Sequence, residues 1–202
     1  MNIILFGPPG AGKGTQAKNL EKKFGNFQIS TGDMLRNEIK NESEIGKKII
    51  DNMNEGKFVN DDIVNSLMRK VILDSNKKNK LIFDGYPRTI EQAKNLDSLL
   101  SESNQKIDFI FFLNVKKDQI IKRIEKRKIL EKRSDDELEI ILKRYDTYME
   151  TTKPVLDFYN KNSNFHEIDG SPPEGNLATR WFGSGTDSFP NRIKDSFSAG
   201  SR

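Results

Sequence analysis

Asn2-Ile3-Ile4-Leu5-Phe6-Gly7-Pro8-Pro9-Gly10-Ala11-Gly12-Lys13-Gly14-Thr15 is the stretch whose reading decides the fold. Residues 2–6 are an apolar run of strand length, and the glycines and prolines that follow cannot extend it. Beyond Lys13, Ala17, Leu20 and Phe24 fall on one face of a helix. A strand, a glycine-rich turn and a helix in that order are the setting of a phosphate-binding loop. Glycines let consecutive backbone N–H groups turn inward on a polyphosphate, and the helix N-terminus adds partial positive charge. Lys13 can reach the β- and γ-phosphates, and Thr15 offers a hydroxyl near a metal. Position 14 is glycine, so the hydroxyl comes one residue later than in the general GxxxxGK[ST] pattern. A glycine-rich turn with a solvent-facing lysine is the plainer alternative; the flanking strand and helix favour the nucleotide site.

Working outward, the first 170 or so residues alternate strands with helices, which predicts a parallel sheet. Phe27–Ile29, Leu81–Phe83, Ile107–Leu113 and Phe165–Ile168 read as the further strands. Asn60 caps a helix in which Ile63, Val64, Leu67, Met68, Val71 and Ile72 recur at three- and four-residue steps. Thr89 with Gln92, and Ser134 with Glu137, have capping-box spacing, and Asp118 precedes a further helix. The polar stretch Arg127–Arg133 reads as a short loop between helices. From Gly175 onward Trp181, Phe182, Phe189 and Phe197 show no period, and residues 175–202 are assigned no fold.

The 202 residues suffice for one compact domain with a small lobe. With no cysteine and one histidine, thiolate chemistry is excluded and a histidine-built metal site is disfavoured, leaving hard cations held by oxygen. No apolar run approaches membrane-spanning length, and the N-terminus has no secretory pattern, so a membrane span and secretion are disfavoured. The net charge of +4 mildly favours anionic partners. Without a long basic block, a dedicated nucleic-acid module is not expected.

The Gly12-Lys13-Gly14-Thr15 variant occurs with Ile29-Ser30-Thr31-Gly32-Asp33-Met34-Leu35-Arg36, with Gly56-Lys57-Phe58-Val59, and with Asp84-Gly85-Tyr86-Pro87-Arg88-Thr89. Together, and in this order, the four motifs closely resemble the adenylate kinases over about residues 1–172. The resemblance implies a five-stranded parallel sheet with helices on both faces, of the P-loop nucleoside-monophosphate kinase kind. Residues 1–29 and 60–174 would form its core, 30–59 a lobe for AMP, and 127–133 a short lid lacking the roughly thirty-residue insertion of long-form relatives.

By the same resemblance Gly10, Ala11, Gly12, Lys13, Gly14, Thr15, Arg123, Arg127 and the main chain near Pro172 would hold ATP. Thr31 and Gln92 would read the adenine of AMP, with Lys57, Phe58, Val59, Gly85, Tyr86 and Pro87 closing its pocket. Arg36 and Arg88 would grip the AMP phosphate, and Arg133 and Arg144 would touch AMP and the transferring phosphates. Lys13, Arg88, Arg127, Arg133 and Arg144 would carry catalysis, while Asp33 and Asp84 would hold Mg2+ through water. The implied reaction moves the terminal phosphoryl group of ATP to AMP, giving two ADP, in a cytoplasmic monomer. A related kinase using CMP or UMP, or GTP as donor, and a nucleotide-binding module without catalysis remain as alternatives. Thr31 could instead be a helix cap, and Gln92 could serve only its capping box, though the arginines beside them favour the nucleotide reading. The tail departs from the family, since the sequence after Pro172 shows no amphipathic helical period.

Overall fold

A computed structural model of the chain describes residues 1–131 and 137–171. Five strands, β1 (Ile3–Phe6), β2 (Phe27–Ser30), β3 (Leu81–Asp84), β4 (Phe109–Asn114) and β5 (Phe165–Asp169), form one parallel sheet in the order β2-β3-β1-β4-β5. The first strand is thus central. Because successive side chains of a strand face opposite ways, Ile4 and Phe6 join Phe83 and Ile110 in one core. Ile3 and Leu5 join Ala17, Leu20 and Ile82 in another, under helix α1 (Lys13–Phe24). The sequence-based strands and the two-faced sheet agree with this arrangement within a residue or two at the ends.

After β2 the chain forms α2 (Thr31–Lys40) and α3 (Glu44–Asn54), capped by the side chains of Ser30 and Ser43. A Cβ on Gly46 would come within 2.2 Å of the Glu38 carbonyl oxygen, so α3 lies flush on α2. Helix α4 (Asp61–Ile72) is capped by Asn60 and α5 (Ile90–Glu102) by Thr89, as their spacing predicts. Asp118 lies inside the first turn of α6 (Lys117–Glu131).

The expectation of a loop at 127–133 needs correction. Helix α6 runs to Glu131, so Arg127–Glu131 is helical. Lys, Arg, Ile, Leu and Glu are all helix-compatible, and no glycine or proline interrupts them. Ile129 and Leu130 are largely exposed, which is why no amphipathic stripe betrays the helix. Arg133 and Ser134 lie outside the described residues. The next helix, α7 (Leu138–Thr147), has Glu137 at its N-cap, three residues beyond a Ser134 cap. Pro172 and the tail 175–202 also lie outside the described residues.

Between α7 and α8 (Lys153–Tyr159) the backbone widens into one π-helical turn, Tyr148–Thr152. Pro154 explains it: proline has no N–H for the carbonyl four residues back, and its ring crowds that carbonyl.

At the N-terminal end of the sheet, polar groups are closed on one another. Asn2, fully buried, accepts from the Leu81 N–H at 3.1 Å and donates to the Lys106 carbonyl at 3.0 Å and to Gln105 Oε1 at 3.3 Å. Gln105 in turn donates to the Ile72 carbonyl at 3.2 Å and accepts from the Asn79 N–H at 2.7 Å.

Candidate active site

The opposite, C-terminal end of the strands carries the site, as parallel α/β sheets require. Gly12 caps α1 in a left-handed conformation, φ +93°, which a Cβ would strain, and no side chain caps the helix. Its first N–H groups are therefore left for an external acceptor, unlike those of α2 to α5.

A cleft of about 480 Å³ opens over this loop. Gly10, Gly12, Lys13, Gly14 and Thr15 border it from the loop, with Asp84, Gly85 and Arg88 from the end of β3. Asp33 and Arg36 reach it from α2, Arg123 and Arg127 from α6, and Arg144 from α7. The described residues proposed for both nucleotide phosphates thus meet in one place. A smaller recess joins Lys57, Phe58 and Val59 to Arg36, Arg88 and Arg144. Tyr86 and Pro87 line the floor beside Lys13 and Arg144. Ala11 contributes only main chain: it is fully buried, and its carbonyl accepts from Arg123 Nη1 at 3.2 Å. Arg123 Nη2 donates to the Gly170 carbonyl at 2.6 Å, tying the loop to the end of β5.

Lys13 Nζ folds back on the carbonyls of Gly7, at 2.7 Å, and Pro8, at 3.1 Å. Removal from bulk water pulls this ammonium down to about 8; Asp84 opposes the shift, and Arg88, Arg144 and Arg127 add to it. The Arg88 guanidinium is brought down to about 10, by burial first and then by Arg144. It is steered by a bond from Nε to the Gly85 carbonyl at 2.8 Å and lies over the Phe58 ring at 5.1 Å. These cations repel one another, and a polyanion between them relieves the repulsion.

Thr31 and Gln92 are almost wholly buried. Thr31 Oγ1 donates to the Gly85 carbonyl at 2.8 Å. Gln92 accepts from the Arg88 N–H at 2.8 Å and donates one N–H to Asp61 at 2.7 Å, leaving its second amide hydrogen uncommitted among these bonds. Thr89 also donates to Asp61, at 2.7 Å. The sequence reading missed Asp61, which clamps the start of α4 to that of α5. It also missed Gln28, whose Nε2 donates to Asp84 Oδ2 at 2.8 Å. Neither carries a local signal, because both act on partners distant in sequence.

Asp84 is nearly buried, and Asp33 is ion-paired with Arg36. No group of three or more acidic or histidine side chains among the described residues could hold a metal ion. Two carboxylates at a phosphate cleft fit a magnesium that keeps most of its water and takes further ligands from phosphate.

Comparison with known proteins agrees with this geometry. The family model described as adenylate kinase matches residues 5–164. An adenylate kinase of Pelagibacter ubique is 50% identical over 197 aligned positions, covering 85% of this chain and 92% of that protein. One from Mycoplasma mycoides is 42% identical over 195 positions, covering 83% and 91%. One from Caulobacter is 43% identical over 170 positions, covering 84% and 90%. A phosphate loop, an arginine-lined cleft and a sheet order that these matches span almost end to end lead to one statement: the chain belongs to the adenylate kinase family.

Proposed function

We propose that this cleft transfers the terminal phosphoryl group of ATP to AMP, reversibly, giving two ADP. The observation that carries the proposal is the convergence of Lys13, Arg36, Arg88, Arg123, Arg127 and Arg144 on one cleft at the N-terminus of α1. Phosphoryl transfer asks little covalent chemistry of a protein, because aligned and neutralised phosphates react with each other. The loop amides and Lys13 would hold the donor phosphates. Arg36 and Arg88 would hold the acceptor phosphate, their planar guanidinium groups each engaging two oxygens. Arg127 and Arg144, with Arg133, would neutralise charge on the group in flight. Magnesium, reached through water from Asp33 and Asp84, would supply charge neutralisation on the donor phosphates.

Thr31 and the second amide hydrogen of Gln92 support adenine as the acceptor base, with main chain of residues 57–59 closing its pocket. Arg123, already bonded to the carbonyls of Ala11 and Gly170, would face the donor nucleotide beside Pro172. The cover over the cleft is short in this reading. The Pelagibacter and Mycoplasma relatives align over more positions than this chain supplies, whereas the Caulobacter relative does not. All described site residues come from one chain, which supports a monomer. The arginines are accounted for by nucleotides without a nucleic-acid partner. No described helix is long and apolar enough to cross a membrane, and the family resemblance supports the cytoplasm as the place of action.

The test is acceptor choice. Purified protein with ATP and Mg2+ is expected to form ADP far faster with AMP than with CMP or UMP. The reverse ranking would overturn the acceptor assignment, and nucleotide binding with no ADP formed would favour a non-catalytic module.

A further inference from the structure

Polar side chains join the starts of α4 and α5. Asp61 is the first residue of α4, and both its carboxylate oxygens are taken: Oδ2 accepts from Thr89 Oγ1 at 2.7 Å and Oδ1 from Gln92 Nε2 at 2.7 Å. One turn along α4, Asn65 accepts from the Tyr86 hydroxyl at 2.8 Å, and that hydroxyl accepts from Asn95 of α5 at 3.0 Å. The second bridge already ties the two helices together. What Asp61 adds is a fixed orientation for Gln92, which is only 2% exposed and so depends on protein partners. A side-chain amide can be turned over, exchanging its carbonyl and its NH2, and its partners decide which way it lies. Both partners are unambiguous here. The Arg88 backbone N–H, at 2.8 Å, can only donate and so takes the carbonyl, while the Asp61 carboxylate can only accept and so takes an N–H. One N–H and one carbonyl lone pair of the amide remain, and they match an edge of adenine, whose 6-amino group donates beside a ring nitrogen that accepts. For a base held in the same pose, the amide turned over would instead suit guanine, which accepts at position 6 and donates from the neighbouring ring nitrogen.

We infer that Asp61 is a positioning residue for the choice of acceptor base: its carboxylate locks the Gln92 amide in the orientation that selects adenine over guanine. This role rests on the reading that Gln92 meets the base of AMP. Thr89 belongs to the same lock. Its hydroxyl donates to Asp61 and accepts the Gln92 backbone N–H at 3.1 Å, so one residue sets both the carboxylate and the start of α5. Through the Arg88 N–H, the lock also reaches the backbone of the arginine proposed to grip the AMP phosphate. The place of Asp61 in the chain suits the task, since only Asn60 separates it from the pocket wall proposed for residues 57–59, and the first turn of a helix favours a carboxylate.

The test separates positioning from clamping. Asp61→Ala is expected to raise KM for AMP about tenfold with KM for ATP within about twofold, and to lower the AMP-to-GMP ratio of kcat/KM about tenfold. Asp61→Asn can still turn its carbonyl oxygen to Gln92 and its NH2 to Thr89 Oγ1, so it is expected to stay within about threefold of the parent. In a Gln92→Ala background, Asp61→Ala is expected to change KM for AMP by less than about twofold, because the group it positions is gone. A clamp alone would lower the thermal midpoint and raise KM for both nucleotides whichever side chain followed Glu91. An unaltered AMP-to-GMP ratio in Asp61→Ala, an equal rise in KM for ATP, Asp61→Asn as impaired as Asp61→Ala, or an undiminished effect in the Gln92→Ala background would overturn the inference. Should Asp61→Ala fail to fold, Asp61→Ser, whose hydroxyl is too short to span both partners, takes its place with the same expectations. Gln92→Ala alone is the control: if it leaves KM for AMP and the base preference as in the parent, the reading of Gln92 fails, and if it disturbs both while Asp61→Ala disturbs neither, only the positioning fails.

Discussion

The two ends of one sheet are built to opposite rules. At the N-terminal end, Asn2 donates to Gln105, and the two side chains bond the backbone of Ile72, Lys106 and Leu81, so that the polar atoms they bury are satisfied by protein. At the C-terminal end, Lys13 makes do with two loop carbonyls, the first N–H groups of α1 have no side-chain cap, and the buried hydroxyls of Tyr148 and Thr152 have no hydrogen-bond partner among the described residues. The first arrangement contributes stability. The second holds binding capacity in reserve, because desolvated cations and unsatisfied donors gain most when a polyanion arrives.

Four substitutions or measurements break or sharpen that contrast, and the largest effect is expected at the cleft. Lys13→Met should reduce turnover by about three orders of magnitude, measured as ADP formation, while leaving the thermal midpoint unchanged or raised, since a crowded cation is removed. Arg88→Lys should lower kcat/KM for AMP about a hundredfold, because an ammonium cannot reproduce the two-oxygen grip proposed for this guanidinium or the placement its bond to the Gly85 carbonyl gives. Asn2→Ala should do the reverse. It should cost about 2–3 kcal/mol in denaturant unfolding, because several buried partners lose their bonds, with kcat unaltered.

The smallest effect is a proton count. Lys13 sits near 8 in the folded protein against 10.5 ordinarily. Between those values the unfolded state binds more protons, so this residue's share of stability rises with pH from about 8 to about 10.5 and is constant outside that window. Polyphosphate binding favours the charged ammonium. Calorimetry of tripolyphosphate binding near pH 9, in buffers of different ionisation enthalpy, should therefore show uptake of up to one proton, absent in Lys13→Met.

The contrast also explains what the sequence could tell. The fold was legible because residues 3–6, 81–83 and 109–113 are apolar runs bounded by glycine or by polar residues, Asn2 and Gly7, Lys80 and Asp84, and Asp108 and Asn114, and because Asn60 and Thr89 announce their helices. The phosphate loop was legible since its function resides in consecutive residues. Arg127–Glu131 was misread because Lys128, Ile129 and Leu130 are all exposed, leaving no buried apolar stripe to set the helix apart from a polar loop. Asp61 and Gln28 stayed hidden, since each depends on groups brought near by the fold rather than by neighbours in the chain. The π-helical turn did have a local sign: Pro154 stands four residues after Glu150, within a run that otherwise reads as one continuous helix.

The flush contact at Gly46 has a mechanical meaning. Helices α2 and α3 are too closely seated to slide or bend against each other, so residues 31–54 form a stiff plate and any swing of it must be taken up at its two joints, near Ser30 and between Gly56 and Asn60. A force exerted on Arg36 is then passed by the plate as a whole to those joints, the second of which carries Phe58, the ring over which Arg88 lies.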